Sequence, residues 1–357
     1  MVRAASVRLA ACLLFFLLAL PGRALAQSAP AGPESGPRDA MVLLAAGQID
    51  AVLGYVAESA KALGERFAAI RKGLGPVSAE EKARFEKGVA RNGPTAAVKT
   101  FEGPEPAAQA PRQALFYYDP GPLTDGAVRN LKAFEILAPA MQTAFETFNF
   151  SWVYITGADE TFAIHPYLPL AEGVNNYQPT QKLFYTIADA KNRTFGWESP
   201  YFDLAGAGMM ITVSWPIFDR DALIGVSSRD VTIEQLSRDV MARLAVLPGA
   251  SAVIINKRGK AIAASDPRLA AEIVEVNAKA QDAVLHYRTD EGITSLVNEK
   301  ATASASDFMN RACERILAAA RDNGFSQDVI RLDLDGRSVT AARTRLTGWY
   351  LVLTLPE

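Results

Sequence analysis

Between Ile49 and Ile70 an apolar residue falls at nearly every third or fourth position: Ile49, Val52, Leu53, Val56, Ala60, Leu63, Phe67 and Ile70. That period belongs to an α-helix with one buried stripe. It predicts a helix over about 39–72, roughly 50 Å long at 1.5 Å per residue. One small domain has no use for so long a rod. Two readings are compatible with it. The helix is a spine packed across two domains, or the 56-60-63-67-70 spacing is the seam of a homodimer.

Downstream of the spine the chain alternates between helix and strand patterns. A short charged helix is expected near 79–91, then a Pro/Gly-rich link, then an amphipathic helix near 124–148 containing Pro139. Strand signals run over 151–156 and 161–164 around the turn Gly157-Ala158-Asp159-Glu160. A loop to Pro179 and a short helix near 180–190 come next. Strands over 194–198, 208–215 and 222–228 form an antiparallel meander. Thr232 with Gln235 three residues on reads as a capping box.

The pattern then partly repeats. Val253-Ile254-Ile255 and the return Ala261-Ile262 echo Val153-Tyr154-Ile155 and its return strand. A mostly helical insertion over 267–325 precedes strands over 329–334, 338–346 and 349–355, with Asp335-Gly336 as a tight turn. The fold class is α+β: a long N-terminal helix followed by two tandem antiparallel sheet units. The expected division is a flexible lead at 27–37, a first unit at 38–231 with the long helix, and a second at 232–357.

The 357 residues are 49 % hydrophobic with a net charge of −2, which gives no electrostatic case for nucleic acid. Arg3 and Arg8 precede the apolar run Leu9 to Leu20, and Ala24-Leu25-Ala26 comes after it. This is the pattern of a secretory signal peptide over 1–26, with an uncleaved anchor as the alternative. The run is short for a spanning helix, which needs roughly 20 residues. Cleavage after Ala26 removes Cys12 and leaves Cys313 alone, so no internal disulfide is available. The expected location is periplasmic or secreted.

Residues 177–230 carry the chemistry. Tyr177, Lys182, Phe184, Tyr185, Tyr201, Asp203 and Asp230 lie around two apolar runs of strand length, 209–215 and 222–226. The two carboxylates suit an ammonium group, the rings suit the ligand body and an amine's cation–π contacts, and Lys182 suits a carboxylate. Each also has a plainer use. Asp230 suits the N-terminus of the following helix, Asp203 a turn before Gly206, Lys182 a solvated helix surface, and the rings a core. Trp152, Tyr154, Trp197 and Trp215 read as core or pocket floor. His165 and His286 lack partners at metal-ligand spacing, so no metal or cofactor is expected. The sequence has no Gly-x-Ser-x-Gly nucleophile elbow. Gly206-Ala207-Gly208 lacks the third glycine of a dinucleotide fingerprint.

The long helix, the tandem units and the phrase Ile211-Thr212-Val213-Ser214-Trp215-Pro216 leading to Gly225-Val226-Ser227-Ser228-Arg229-Asp230 resemble the double Cache (PAS-like) sensor domains. These are the ligand-binding regions of bacterial chemoreceptors and sensor kinases. The resemblance covers most of 38–357 and is strongest over 150–240. In the amino-acid-binding branch of that family the first unit holds the ligand. A tyrosine stands five residues before an Arg-x-Trp-Tyr motif, followed by Tyr-x-Asp and a final Asp. Here the matching positions are Tyr177, Lys182-Leu183-Phe184-Tyr185, Tyr201-Phe202-Asp203 and Asp230. Lys replaces Arg and so lacks the planar two-donor fork. Phe replaces Trp and so lacks the N–H donor.

The resemblance implies an exported, non-enzymatic sensor, chemotaxis-like in its signal transduction. It recognises an amine, an amino acid or a short carboxylate in the first unit, and signals through a membrane-bound signalling or transport partner. The second unit, with no similar residue set, is expected to be structural. The alternatives are a scaffold or accessory subunit that grips a membrane partner through the long helix and, behind it, an exported hydrolase.

Overall fold

A computed structural model describes residues 36–92, 95–100, 103–147, 152–169, 172, 177–203, 208–241, 249–279, 284–296 and 300–356. The signal-peptide and flexible-lead expectations, up to Ser35, lie outside them. The described chain is one compact unit starting at Pro37.

Helix α1 spans Pro37–Gly73, close to the range its period predicts. Its buried stripe meets both sheets. Val42, Ala45, Ile49 and Leu53 join a core with Ile254, Leu351 and Leu353 of the second sheet and with Ile211, Val213 and Val231 of the first. Leu63 and Phe67 join the core under the first sheet. Polar ties fix the N-terminal half. Asp39 accepts from Arg331 Nε at 2.6 Å, and Asp50 accepts from the backbone N–H groups of Arg345 and Leu346 at 2.8 and 3.1 Å. Among the described residues α1 alone is long and apolar enough to cross a membrane by length and composition. Here those apolar side chains pack on two sheets.

The spine reading therefore describes the molecule. The seam reading needs correction on its residues: Val56, Ala60, Leu63 and Phe67 are buried inside their own chain. A sheet-packing face and a coiled-coil seam share the same spacing. The exposed side of α1 instead carries Ala40, Leu44, Gly47, Ala51 and Tyr55.

Helix α2 (Ala79–Gly88) starts in a capping box between Ser78 and Glu81 and ends three residues before the sequence expectation. Strands β1 (Val89–Asn92), β2 (Thr95–Val98) and β3 (Ala114–Tyr117) occupy the region expected as helix end and link. Helix α3 (Asp125–Thr147) continues through Pro139. Then come β4 (Val153–Gly157), β5 (Thr161–His165) and the four-residue α4 (Leu183–Thr186), much shorter than expected. The meander is β6 (Gly196–Asp203), β7 (Gly208–Asp219) and β8 (Ala222–Thr232). The first sheet runs β1-β2-β3-β5-β4-β8-β7-β6. Helices α1 and α3 cover one face; the other carries an aromatic cluster.

Thr232 caps the short α5 (Ile233–Gln235), accepting from Gln235 N at 3.2 Å as the capping box predicts. The second half holds β9 (Ser251–Ile255), β10 (Ala261–Ala264) and α6 (Pro267–Lys279). Then come β11 (Val284–His286), α7 (Asp290–Thr294), β12 (Ala301–Ala303) and α8 (Asp307–Asp322). Strands β13 (Val329–Leu334), β14 (Arg337–Arg343) and β15 (Tyr350–Pro356) finish it. The second sheet runs β10-β9-β15-β14-β13. Its far face is covered by α6 and α8. The insertion is mostly helical as expected, but it also holds the parallel pair of β11 and β12. The fold is a long helix backing two antiparallel sheets, as the α+β expectation has it.

Candidate functional site on the open face of the first sheet

Register decides which side chains meet, because successive residues of a strand face opposite ways. Tyr154 pairs with Ser228, Ser214 with Ser228, and Thr212 with Asp230. These five share the face turned away from α1. Val153, Ile211, Val213 and Arg229 take the α1 face.

Asp230 is 2 % exposed. Its Oδ1 accepts from Tyr154 Oη at 3.0 Å and from Thr212 Oγ1 at 2.7 Å. The Thr212 hydroxyl has one proton and gives it to Asp230. Tyr201 Oη, 2.7 Å from Thr212 Oγ1, is therefore the donor of that pair. Tyr201, Thr212 and Asp230 form a directed relay ending on a carboxylate. The N–H of Asp230 is tied to Trp152 O at 3.0 Å.

A second hydroxyl pair docks α4. Ser214 Oγ donates to Phe184 O at 2.6 Å and lies 2.9 Å from Ser228 Oγ, which then donates to it. The Phe184 ring meets Tyr154 edge-on at 5.2 Å. Tyr154 lies 5.5 Å from Phe162, and Phe162 lies 6.1 Å from Tyr118. Tyr177 lies 5.0 Å from Tyr118, and Lys182 Nζ lies 4.8 Å from the Tyr177 ring. Burial raises the Tyr118 phenol pKa far above its usual range, so it stays neutral.

Phe184 thus touches Tyr154 directly, Tyr201 reaches Asp230 through Thr212, and Tyr177 joins the same aromatic cluster through Tyr118 and Phe162. Lys182 is exposed at the edge, reaching back over Tyr177. Tyr185 is half-buried on the side of the β4–β5 turn. Burial, with the Glu160 and Asp159 charges behind it, pushes its phenol up to about 12. The backbone of Asp203 closes the β6–β7 hairpin opposite Gly208. Its side chain lies outside the described residues.

Sequence patterns single out none of Thr212, Ser214 and Ser228, and they give Tyr154 only as core or floor. A signal is present all the same: Ile211-Thr212-Val213-Ser214-Trp215 alternates apolar and hydroxyl residues, so the hydroxyls share one face. For two tryptophans the core alternative holds. Trp197 packs with Trp349, 6.1 Å away, on the α1 side, and Trp215 lies under Lys61 of α1. Neither is a floor for this site. Among the described residues no group of three or more His, Cys, Asp or Glu is placed to hold a metal.

Residues 127–238 match the family model of the methyl-accepting chemotaxis protein-like first PDC sensor domain. A 68-residue stretch is 32 % identical to the methyl-accepting chemotaxis protein McpC of Bacillus subtilis, covering 19 % of this chain and 10 % of that receptor. The chain thus spans about a tenth of the curated relative it matches. Among solved structures, the sensory domain of the Campylobacter jejuni chemoreceptor Tlp3 with isoleucine bound is 13 % identical. That likeness covers 89 % of this chain and 90 % of that one, with a TM-score of 0.46. The ligand-binding domain of the Pseudomonas aeruginosa chemoreceptor PctC in complex with GABA is 20 % identical, over 61 % and 80 %, with a TM-score of 0.38.

Proposed function

We propose that the chain is an exported, non-catalytic sensor module that binds a small ammonium-bearing molecule, an amine or an amino acid, on the open face of its first sheet. The signal then passes to a membrane-bound signalling or transport partner. The observation that carries this reading is the treatment of Asp230. A carboxylate is costly to bury unless it is hydrogen-bonded. Here two hydroxyls fix one oxygen, and one of them belongs to Tyr154, a ring of an aromatic cluster against which Phe184, Tyr177 and Tyr201 pack. An oriented carboxylate walled by aromatic faces is suited to a primary ammonium. Lys182 at the rim serves a ligand's carboxylate as a point charge, and Asp203 and Tyr185 complete the set.

The match of residues 127–238 to a first sensor domain supports the first unit, 38–231, as the ligand-binding one. Export is by a cleaved signal peptide or an uncleaved anchor over 1–26. The reading is tested by thermal-shift screening of the purified chain against primary amines, amino acids and short carboxylates. Stabilising hits among the first two classes, lost in Asp230→Asn, support it. An absence of hits, or hits that Asp230→Asn leaves intact, overturns it.

A partner surface on α1 has its own support. Leu44 is 65 % and Tyr55 53 % exposed on this helix. This exposed side, in place of the buried 56-60-63-67 stripe, is where a second copy or an accessory subunit would dock.

A further inference from the structure

The two sheets share one plan, and it extends to the ligand face. The order β5-β4-β8-β7-β6 of the first corresponds to β10-β9-β15-β14-β13 of the second. Counted back from the hairpin turns, Thr156 is equivalent to Ile255, Tyr154 to Val253 and Trp152 to Ser251. Asp230 stands beside Trp152 and across from Thr212. Thr354 stands beside Ser251 and across from Val339. Thr354 is therefore the counterpart of Asp230, on the face turned from α1.

A groove of about 500 Å³ opens at that place, between the sheet and helices α6 and α8. Ser251, Thr354 and Arg337 line its sheet side; Leu269, Phe308 and Met309 line its helical side. Its acids are spent within the fold. Asp266 accepts from the backbone and side chain of Arg268. Glu272 accepts from Ser304 Oγ at 2.7 Å and Ala305 N at 2.6 Å. Arg337 differs. Its guanidinium lies 4.6 Å from the Phe308 ring and makes no hydrogen bond among the described residues. The Ser251 Oγ is buried and also has no hydrogen-bond partner among them. A buried hydroxyl left without a partner costs free energy unless a ligand or water satisfies it.

We propose that this groove is a second ligand site, selective for a small organic carboxylate with an apolar body. The planar fork of Arg337, held against Phe308, takes the carboxylate, and Ser251 adds a hydroxyl donor. Phe308, Leu269 and Met309 take the tail. The second unit is then a receptor in its own right, of opposite charge preference to the first, and not the structural element its sequence leads one to expect.

Isothermal titration calorimetry of the purified chain with isovalerate, and with isoamylamine as the isosteric cation, tests this. Isovalerate is expected to give a saturable heat and isoamylamine none at this site. Arg337→Gln should weaken isovalerate about tenfold, the loss of one charge-assisted pair. Arg337→Lys should retain part of the affinity, and Asp230→Asn should leave it unchanged. Arg337 is exposed, so circular dichroism should show both of its variants folded. No saturable isovalerate heat overturns the proposal. So does binding that survives Arg337→Gln or disappears in Asp230→Asn, which places the acid in the first sheet.

Discussion

Arg229 and Asp230 are adjacent in sequence and face opposite sides of the same sheet. Asp230 holds the hydroxyls of Tyr154 and Thr212 on the open face, while Arg229, 1 % exposed, donates to Ser59 Oγ of α1 at 2.8 Å. One strand therefore joins the candidate ligand carboxylate to the helix that runs on to the second sheet. Burial lowers the Arg229 guanidinium pKa to about 10, with the Asp230 charge opposing that shift, so the group stays cationic at neutral pH. If this strand carries the signal, ligand at Asp230 tightens α1 around Ser59. Hydrogen exchange should then slow over 56–60 when a stabilising amine is added. In Ser59→Ala the amine still binds within about twofold, but that slowing is lost. Removing this bond should cost about 1–2 kcal/mol in urea unfolding.

The Asp230 hydroxyl partners set a stability prediction that needs no ligand. In Asp230→Ala the Tyr154 hydroxyl loses this acceptor, whereas Thr212 keeps Tyr201 as a partner. The lost acceptor costs about 1–3 kcal/mol. The double variant Asp230→Ala/Tyr154→Phe should recover part of the loss, since the buried donor goes with its acceptor. Urea denaturation of the single and double variants measures this. Equal stability of the two would mean that Tyr154 does not depend on Asp230.

Gly196 controls how closely the α4 segment approaches the sheet. A Cβ there would lie 1.8 Å from Ile187 O, a backbone atom with no rotamer to yield. Gly196→Ala must push the 183–188 segment outward, and with it Phe184 off Tyr154. The expected cost is about 2–4 kcal/mol, the range for a buried clash with backbone. Amine affinity, read by the same thermal-shift titration, should fall with it, although no ligand contact was altered.

How much of this is legible in sequence depends on where periodicity is the whole signal. The spine, the meander and the repeat of β4 with β9 are plain, because long amphipathic runs and tight turns state their own geometry. Four-residue strands such as Thr95–Val98 and Ala114–Tyr117 have no such length; their partners, not their composition, make them strands. The buried stripe of α1 is open to misassignment because spacing cannot tell a sheet from a second helix. In the site, the motif positions put Tyr177 and Phe184 in one aromatic cluster with Tyr154, whose hydroxyl reaches Asp230. The relay through Thr212 needs the register, which sequence alone does not supply.

The exposed side of α1 bears on association. Leu44→Glu and Tyr55→Glu change residues that are 65 % and 53 % exposed, so thermal stability should hold within about 1 kcal/mol. If α1 is a self-association face, sedimentation should show a dimer in the parent chain and a monomer in the double variant. Val56→Lys, by contrast, buries a charge and should unfold the chain. An oligomeric state unchanged in the Leu44 and Tyr55 variants would move the partner surface elsewhere.

Acid should act on the fold through a buried imidazole. His165 is 1 % exposed beside Phe145, at 5.2 Å, and its Nε2 has no hydrogen-bond partner among the described residues. Burial lowers its pKa to about 4, and the nearby Glu146 charge opposes the shift only in part. The unfolded chain takes up a proton near pH 6.5 that the folded chain refuses. Above that pH the residue has no effect on stability. As pH falls from 6.5 toward 4 the unfolded state is favoured, by about 2 kcal/mol once solvent access is allowed for. Most carboxylates are still ionised between pH 6.5 and 5, so the slope there reports His165. Thermal melts across that interval should show a falling midpoint in the parent chain and a flatter profile in His165→Leu. Parallel profiles would mean that the imidazole finds a proton-accepting neighbour when charged.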